Sequence, residues 1–158
     1  VIRTGALPED GVIARPLGKL TVVNCASPHY LTRFGYPQSP DDLTSHAIVR
    51  YTPHLGVHPL GFEVASVNGV QWFKSGGMLT VNSRENYLAA GLAGLGIIQI
   101  PRIAVREALR AGRLIEVLPG YRAEPLSLSL IYPQRRELSR RVNLFMQWLA
   151  GVMKEYLD

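Results

Sequence analysis

The sequence predicts an α/β fold, and three stretches carry that prediction. Residues Val81–Pro101 read as a strand, a helix, a glycine-rich stop and a second strand. Leu126–Tyr132 (LSLSLIY) alternates apolar and polar residues as a strand does. Leu138–Leu157 places apolar residues at steps of four and three, which is the pattern of an amphipathic helix. Strands and helices are therefore interleaved along the chain, which is typical of α/β proteins.

The first of these stretches predicts one helix between two strands. Asn82 or Ser83 begins the helix, and Glu85 has the spacing of a capping box with Asn82 and suits the positive end of the helix dipole. The predicted buried stripe consists of Leu88, Leu92 and Leu95, with Ala89 and Ala93 beside it. A unit this short implies parallel strands with a right-handed crossover. Ligands bind such sheets where strands end and helices begin, so Asn82 and Ser83 are the first candidates for ligand contacts.

The glycines that end this helix do not form a dinucleotide-binding loop. Gly91, Gly94 and Gly96 follow the spacing G-x-x-G-x-G, whereas the binding motif is G-x-G-x-x-G and opens a helix rather than ending one. We interpret them as a helix stop with close packing, and Pro101 as the end of the next strand. No cofactor is predicted.

Capping and turn signals place the remaining elements. Ser27-Pro28 predicts an N-cap with proline at the first helical position, and Gly35 ends that short helix. Residues 60–82 predict two or three antiparallel strands, with turns at Asn68-Gly69 and around residues 75–77. The other predicted strands are Val1–Gly5 (the end of a buried strand), Val12–Leu17, Leu20–Asn24, Ala47–Tyr51 and Leu114–Leu118; the other helical segments are a turn from Pro40 and a helix over Ile103–Ala111.

Composition limits the class of protein. A chain of 158 residues with 47% hydrophobic content suits one domain or two small lobes with a packed core. The 17 basic and 12 acidic residues leave a net charge of +5, and most charges are scattered as on a solvated surface. Cys25 is the only cysteine, which excludes an internal disulfide and fits a reducing compartment such as the cytoplasm. No apolar run approaches the ~18 residues of a membrane span, so no membrane contact is predicted.

No set of residues predicts catalysis or a metal site. Cys25 and His29 could act as nucleophile and base, but a small core residue is the favoured interpretation of Cys25. His54 and His58 are four apart, yet nearby prolines and a glycine forbid the helix that would place both on one face. The arginines of Arg135–Arg141 are interpreted as surface charges, because no nucleic-acid-binding motif accompanies them. The chain is therefore predicted not to be an enzyme.

Three positions instead predict contacts with a polar or anionic ligand. Ser27-Pro28 and Asn82-Ser83 begin helices, and Thr4-Gly5 forms a turn after a strand. Backbone N–H groups at helix starts bind anions and polar groups. Helix starts without a catalytic constellation favour a binding module over an enzyme.

A series of short motifs runs along essentially the whole chain. They are IRTG (Ile2–Gly5), ARPLG (Ala14–Gly18), CASPHYL (Cys25–Leu31), PDDLTSH (Pro40–His46), LTVNS (Leu79–Ser83), AAGLAGLGIIQIP (Ala89–Pro101), GRLIEVLP (Gly112–Pro119) and LIYPQRRELSRRVNLFMQWL (Leu130–Leu149). In this order they resemble the C-terminal effector-binding domain of LysR-type transcriptional regulators. The order is more specific than any single motif.

This resemblance implies a fold like that of type II periplasmic binding proteins, in which two crossover strands join two α/β lobes and the effector binds between them. Residues 1–19 would be part of the first lobe, residues 20–121 the second lobe, and residues 122–158 a crossover strand and a C-terminal helix that returns to the first lobe. The implied ligand-lining positions are Thr4, Gly5, Ser27, Pro28, Asn82, Ser83 and Gln99. A small polar or carboxylate effector is expected, without a metal or cofactor.

The resemblance also implies partners. The domain would contact DNA only through an N-terminal helix-turn-helix that this sequence does not contain, and its first lobe would be incomplete. Apolar surface exposed there would pack on another chain or destabilise the domain. A homo-oligomer is expected in the cytoplasm, as a dimer of this domain and a tetramer of the whole protein. The alternative is a solute-binding protein of a transport system, which shares the fold and would carry a signal peptide.

Overall fold

The computed structural model describes residues 1–4, 12–52, 61–133 and 139–157. The chain divides into two compact units: the first unit combines Val1–Thr21 with Pro125–Asp158, and the second unit is Val22–Glu124. The chain therefore passes from one unit to the other twice. Each unit has its own paired strands and its own buried core.

Strands and helices alternate through the described residues, as an α/β chain requires. The strands are β1 (Ile2–Thr4), β2 (Val12–Leu20), β3 (Val22–Ala26), β4 (Ala47–Tyr51), β5 (Phe62–Ser66), β6 (Gly69–Phe73), β7 (Gly76–Val81), β8 (Ile98–Pro101), β9 (Ile115–Glu116) and β10 (Leu126–Pro133). The helices are α1 (Pro28–Phe34), α2 (Arg84–Leu92), α3 (Arg102–Arg110) and α4 (Arg140–Met153), with a 3-10 helix at Pro40–Ser45.

The first unit is a three-stranded antiparallel sheet covered by α4. Strand β10 lies between β1 and β2 and pairs with both. Leu130 of β10 packs with Met146 and Leu149 of α4 to form the core. The prediction that the chain starts in a buried strand is wrong, because β1 is an edge strand and Ile2 is 46% exposed. Apolar composition alone does not reveal whether a strand has one neighbour or two.

The strands of the second unit pair in three groups, β8–β3–β9, β4–β7 and β5–β6. Strands β4 and β7 pair in parallel, and a parallel bridge between Ile48 and Ile97 joins β4 to the start of β8. Strand β3 pairs antiparallel with both β8 and β9. The carboxyl ends of β4, β7 and β8 therefore lie at one edge (the carboxyl edge), and the carboxyl end of β3 lies at the opposite edge. The parallel arrangement predicted for the strands that flank α2 is confirmed.

The hairpin predicted from Asn68-Gly69 is present, and the strand after it has a different partner. Strands β5 and β6 pair antiparallel around that turn, where Gly69 adopts a positive φ of 108°. Strand β7, in contrast, pairs in parallel with β4. The prediction of antiparallel pairing throughout residues 60–82 is therefore wrong for β7, since local alternation does not identify a partner that lies far away in sequence.

Two apolar clusters form the core of the second unit, one on each face of the sheet. Val49 belongs to the cluster that includes Val105 of α3, and Ile48 belongs to the cluster that includes Tyr30 of α1. Successive side chains of a strand point to opposite faces, so β4 contributes to both clusters. Helices consequently cover both faces of β4, which explains why this strand is apolar on both sides.

Helix α2 forms where the sequence predicts it, and Leu88 and Leu92 of the predicted stripe pack against the core, but the most buried face is a neighbouring one. Its buried residues are Tyr87, Ala90 and Gly91, whereas Leu95 of the predicted stripe is 54% exposed. A Cβ on Gly91 would lie 2.5 Å from the Cδ1 atom of Ile98, so the helix approaches β8 closely at this glycine. The contact through Gly91 places Gly91 nearest to β8, so Leu88 and Leu92 are only partly buried at the side of the core.

Candidate functional site

The start of α2 lies at the carboxyl edge of the second unit, directly after β7. Ser83 is the N-cap, and its hydroxyl accepts a hydrogen bond from the backbone N–H of Asn86 at 3.1 Å. Asn82, which was the other predicted cap, is exposed. The backbone N–H of Thr52, the residue after β4, donates to the carbonyl of Val81 at 2.9 Å. The ends of β4 and β7 are thus joined where α2 begins.

A carboxylate already faces this helix start. The hydroxyl of Ser83 donates to Oε2 of Glu85 at 3.1 Å. The pKa of Glu85 lies below its usual value, because its own backbone N–H and then the Ser83 hydroxyl bind the charged form. An anionic ligand at the start of α2 would therefore have to displace or adapt to this carboxylate, whereas a polar ligand that donates hydrogen bonds would be attracted by it.

Ser27 and Pro28 occupy the opposite edge of the sheet. They follow β3, and the Ser27 hydroxyl caps α1 by accepting from the backbone N–H of Tyr30 at 3.2 Å. A Cβ on Gly94, just past the end of α2, would lie 3.0 Å from the Ser27 hydroxyl oxygen. Ser27 therefore lies at the far end of α2 from Ser83, on the order of 15 Å away at the rise of an α-helix. The structure does not bring these two predicted contacts together.

Gln99 lies within β8, and its side-chain amide is engaged inside the second unit. Its Nε2 group donates to Oδ1 of Asn24 at 2.9 Å and to the carbonyl of Glu63 at 2.8 Å. Its Oε1 atom accepts from the backbone N–H of Glu63 at 2.9 Å. Both amide hydrogens are used, so a ligand could reach Gln99 only through the second lone pair of its oxygen or by displacing a neighbour.

The remaining predicted positions divide between described and undescribed residues. Thr4 ends β1 in the first unit and is half-buried. Gly5, His54 and His58 lie outside the described residues, as do Arg135 and Arg136. Within the described residues, no three His, Cys, Asp or Glu side chains are grouped so that they could hold a metal ion. In the same part of the chain, no helix is long and apolar enough to cross a membrane.

Cys25 does not have the surroundings of a nucleophile. Its side chain is fully buried in β3. Burial, assisted by the negative charge of Glu116, raises the pKa of the thiol to about 12. The thiolate, which is the reactive form, is therefore strongly disfavoured. Among the described residues the geometry favours the core interpretation of Cys25.

Sequence reasoning missed two groups that organise this unit. Asn24 is fully buried in β3, although asparagine is usually exposed. Its position inside an otherwise apolar strand, VVNCA, is the signal that could have identified it. Tyr87 was also missed: its hydroxyl accepts from the backbone N–H of Gln99 at 2.8 Å and so ties α2 to β8.

An α/β chain of two units with a helix start exposed at a carboxyl edge defines a class of small-molecule-binding domains. Comparison with known families narrows this class: a family model described as the LysR substrate binding domain matches residues 1–154. The chain belongs to this family. The fold and family expected from the order of its motifs are confirmed.

Individual relatives agree with the family. The chain is 98% identical to the uncharacterized HTH-type transcriptional regulator YhjC of Escherichia coli (strain K12), over 100% of this chain and 53% of that protein. It is 30% identical to the HTH-type transcriptional activator AaeR of the same strain, over 98% of this chain and 50% of that protein. The chain thus spans about half the length of these curated relatives. Both are transcriptional regulators, so they give no support to the transport alternative.

Solved structures of LysR regulatory domains have the same fold as this chain. The regulatory domain of CrgA, a LysR-type transcriptional regulator from Neisseria meningitidis, superimposes with a TM-score of 0.79 at 25% sequence identity. The match covers 96% of this chain and 73% of that chain. The fold is therefore that of LysR regulatory domains, the type II periplasmic-binding-protein-like α/β fold.

Proposed function

We propose that this domain binds a small polar or carboxylate effector and thereby controls DNA binding by a helix-turn-helix outside this chain. The observation that carries the proposal is the match of the LysR substrate binding domain to residues 1–154. The relatives are named HTH-type transcriptional regulators and are about twice as long as this chain, which supports a separate DNA-binding segment. The proposed role is binding without catalysis, and the proposed location is the cytoplasm, where bacterial DNA lies.

Within the second unit, the effector contact proposed here is the start of α2. Ser83 and Asn82 stand at the carboxyl edge, the position at which ligands bind open α/β sheets. Ser27, Pro28 and Gln99 are assigned supporting roles, because the first two form a helix cap at the other edge and the third is bonded to Asn24 and Glu63. Thr4 and Gly5 remain predictions from the family resemblance.

The proposed mechanism is a shift in population between conformations. An effector that binds one conformation more tightly than another stabilises it by the difference in binding free energy. A difference of about 1–3 kcal/mol is typical of coupling between two sites. The domain would transmit this bias within a homo-oligomer, proposed as a dimer of this domain and a tetramer of the whole protein.

A comparison of two serine caps tests the effector site. Mono- and dicarboxylates and their neutral amides are first screened by thermal shift, and a stabilising compound is then titrated by calorimetry. Ser83→Ala should weaken its binding by about 1–3 kcal/mol, because a direct hydrogen bond is lost. Ser27→Ala is the matched control: it removes a cap from α1 in the same way, but at the opposite edge.

The two variants distinguish loss of a direct contact with the effector from a general loss of folding stability. Each loses a cap worth about 1 kcal/mol of folding free energy. Affinity should fall only in Ser83→Ala. Equal losses in both variants, or unchanged affinity in Ser83→Ala, would contradict the proposed contact at α2 and leave Ser83 as a structural cap.

A further inference from the structure

A buried residue with a left-handed backbone marks an unusual segment of the second unit. Leu118 has a φ of 48° and is 4% exposed. Bulky L-residues rarely adopt positive φ, so the surroundings must hold this conformation in place. Leu118 begins residues 118–124 (the strap), which run from the end of β9 to the point where the chain leaves the second unit.

The side chain of Asn24 holds the beginning of the strap. Its Nδ2 group donates to the carbonyl of Leu118 at 3.2 Å and to the carbonyl of Tyr121 at 2.9 Å. The backbone N–H of Tyr121 also donates to the carbonyl of Leu118 at 2.9 Å, which closes the turn. Asn24 is fully buried, so water does not replace these bonds. The buried Asn24 side chain thus stabilises a turn in which Leu118 adopts a left-handed backbone conformation that leucine disfavours.

Gln99 in turn holds Asn24. Its Nε2 group donates to Oδ1 of Asn24, so the amide of Asn24 uses both its hydrogens and its oxygen. The same Nε2 group also donates to the carbonyl of Glu63 in β5, and the Oε1 atom of Gln99 accepts from the backbone N–H of Glu63. The pair of amides therefore connects the strap, β3, β8 and β5 in one chain of hydrogen bonds. Such networks are costly to interrupt, because a broken bond leaves buried polar groups unpaired.

The end of the strap is attached to β5 and β9 by bonds that are more exposed. The backbone N–H of Ala65 donates to the carbonyl of Arg122 at 2.8 Å, and that of Glu124 donates to Oε1 of Glu63 at 3.0 Å. The Arg122 guanidinium binds Oε1 of Glu116 at 2.6 Å. The beginning of the strap is thus held by the amide pair and by the Leu118 side chain, which packs in the same apolar cluster as Tyr30 of α1, and Ala123 is buried nearer its end.

We propose that the strap is a conformational device: it opens beyond Leu118, whose side chain stays packed in the core, and the Asn24–Gln99 amide pair controls that opening. The left-handed turn at Leu118 favours release, and the two hydrogen bonds from Asn24 oppose it. The strap ends at Glu124, the last residue of the second unit. Its use in signalling rests on the proposed function, but the strap itself needs no effector.

Amide hydrogen exchange of the whole polypeptide without added effector tests the strap. Asn24→Ala should speed exchange of the N–H groups of Tyr121, Glu124 and Ala65 by about tenfold or more, because local opening becomes easier. Exchange within α2 should stay within about twofold of the unmodified protein. Cys25→Ala is the matched control, since it truncates the next residue of β3, which is equally buried and makes no bond to the strap.

A second variant keeps the proposal testable if Asn24→Ala does not fold. Gln99→Glu preserves the size of the side chain but removes both amide donors. The Oδ1 atom of Asn24 then loses its hydrogen bond. The N–H groups of the strap should again exchange faster than those of α2. Faster exchange throughout the second unit in both variants would overturn the proposal. So would unchanged exchange in the strap, or the same selective pattern in Cys25→Ala.

Discussion

At the scale of single residues, the reactivity of the Cys25 thiol tests whether β3 is buried. At a pH well below both values, a pKa of about 12 leaves about a thousandfold less thiolate than the ordinary value of 9.0. We therefore expect the folded protein to react with Ellman's reagent far more slowly than the same chain in concentrated urea. Ser66→Cys, at the exposed turn of the β5–β6 hairpin, is the positive control. Rapid labelling of Cys25 in the folded protein would show that the strand is accessible.

The two serine caps could be predicted from the sequence, but their positions relative to each other could not. Ser27 and Ser83 were both recognisable as caps, because a hydroxyl before a helix satisfies a free backbone N–H. Their separation was not recognisable, because it depends on β3 running antiparallel to β8. Strand direction is decided by contacts between distant segments, so local signals find the caps and leave their arrangement open. Asn24 illustrates the same limit, since its partners at Leu118 and Tyr121 lie far along the chain.

At the scale of elements, the corner between the 3-10 helix and β4 contains two titratable groups, the Asp42 carboxyl and the His46 imidazole. Oδ2 of Asp42 accepts from the backbone N–H groups of Gln38 and Ser39, which lower the pKa of this carboxyl. Nδ1 of His46 lies 3.0 Å from the hydroxyl of Tyr30 in α1. Burial lowers the pKa of His46, and the charge of Asp42 opposes that shift. The free energy of unfolding depends on the protonation of both groups, but over different ranges of pH.

The free energy of unfolding should fall as the pH drops below the ordinary pKa of His46, which is 6.5. Since the folded protein binds this proton less readily than the unfolded chain, the contribution of His46 is complete above that value and is lost as the pH falls through the lower folded pKa. His46→Gln should flatten this part of the profile, as measured by urea unfolding at a series of pH values. A profile that keeps its full slope in the variant would assign the effect to other groups.

Asp42→Asn serves as the control for that experiment. The folded pKa of Asp42 lies below its ordinary value of 3.8, so its contribution is present above that pH and disappears only in stronger acid. The variant should therefore change the profile at low pH. It also removes the charge that opposes the shift of His46, so the fall in stability below pH 6.5 should persist and extend further toward acid.

The elements themselves were largely predictable, and their packing was not. Helices α1 and α2, strand β4 and the β5–β6 hairpin lie where capping, alternation and turn residues place them. The strand predicted over Leu114–Leu118 shortens to Ile115–Glu116, because the chain turns into the left-handed conformation at Leu118. The buried face of α2 was predicted only in part: Leu88 and Leu92 pack against the core, whereas the close approach through Gly91 depends on Ile98 of a neighbouring strand.

At the scale of the whole molecule, the largest apolar residues exposed on one helix lie on α4. Leu144, Phe145, Trp148 and Val152 are 57%, 53%, 61% and 43% exposed, and the rings of Phe145 and Trp148 lie 5.8 Å apart. Leu144 and Trp148 lie on the side of α4 opposite Met146, and Phe145 and Val152 lie beside them around the helix. Exposed apolar surface of this kind favours association with another polypeptide. This chain spans 73% of the CrgA regulatory domain, so the exposed face of α4 is available either to another segment of the longer protein or to a second copy. The proposed homo-oligomer is expected to use this face if the second copy is its occupant.

Substitution of the two tryptophans tests this expectation, because they are exposed in different units. Trp148→Gln should shift sedimentation profiles toward the monomer over a range of protein concentrations, since a buried aromatic side chain contributes about 150–250 Å² of contact area. Trp72→Gln is the matched control: Trp72 is 46% exposed on β6 of the second unit. Both variants exchange one exposed indole for the same polar side chain, so only the location differs. Equal dissociation in the two variants would mean that association follows general surface hydrophobicity rather than α4. A profile unchanged by Trp148→Gln would place the contact between copies on another surface.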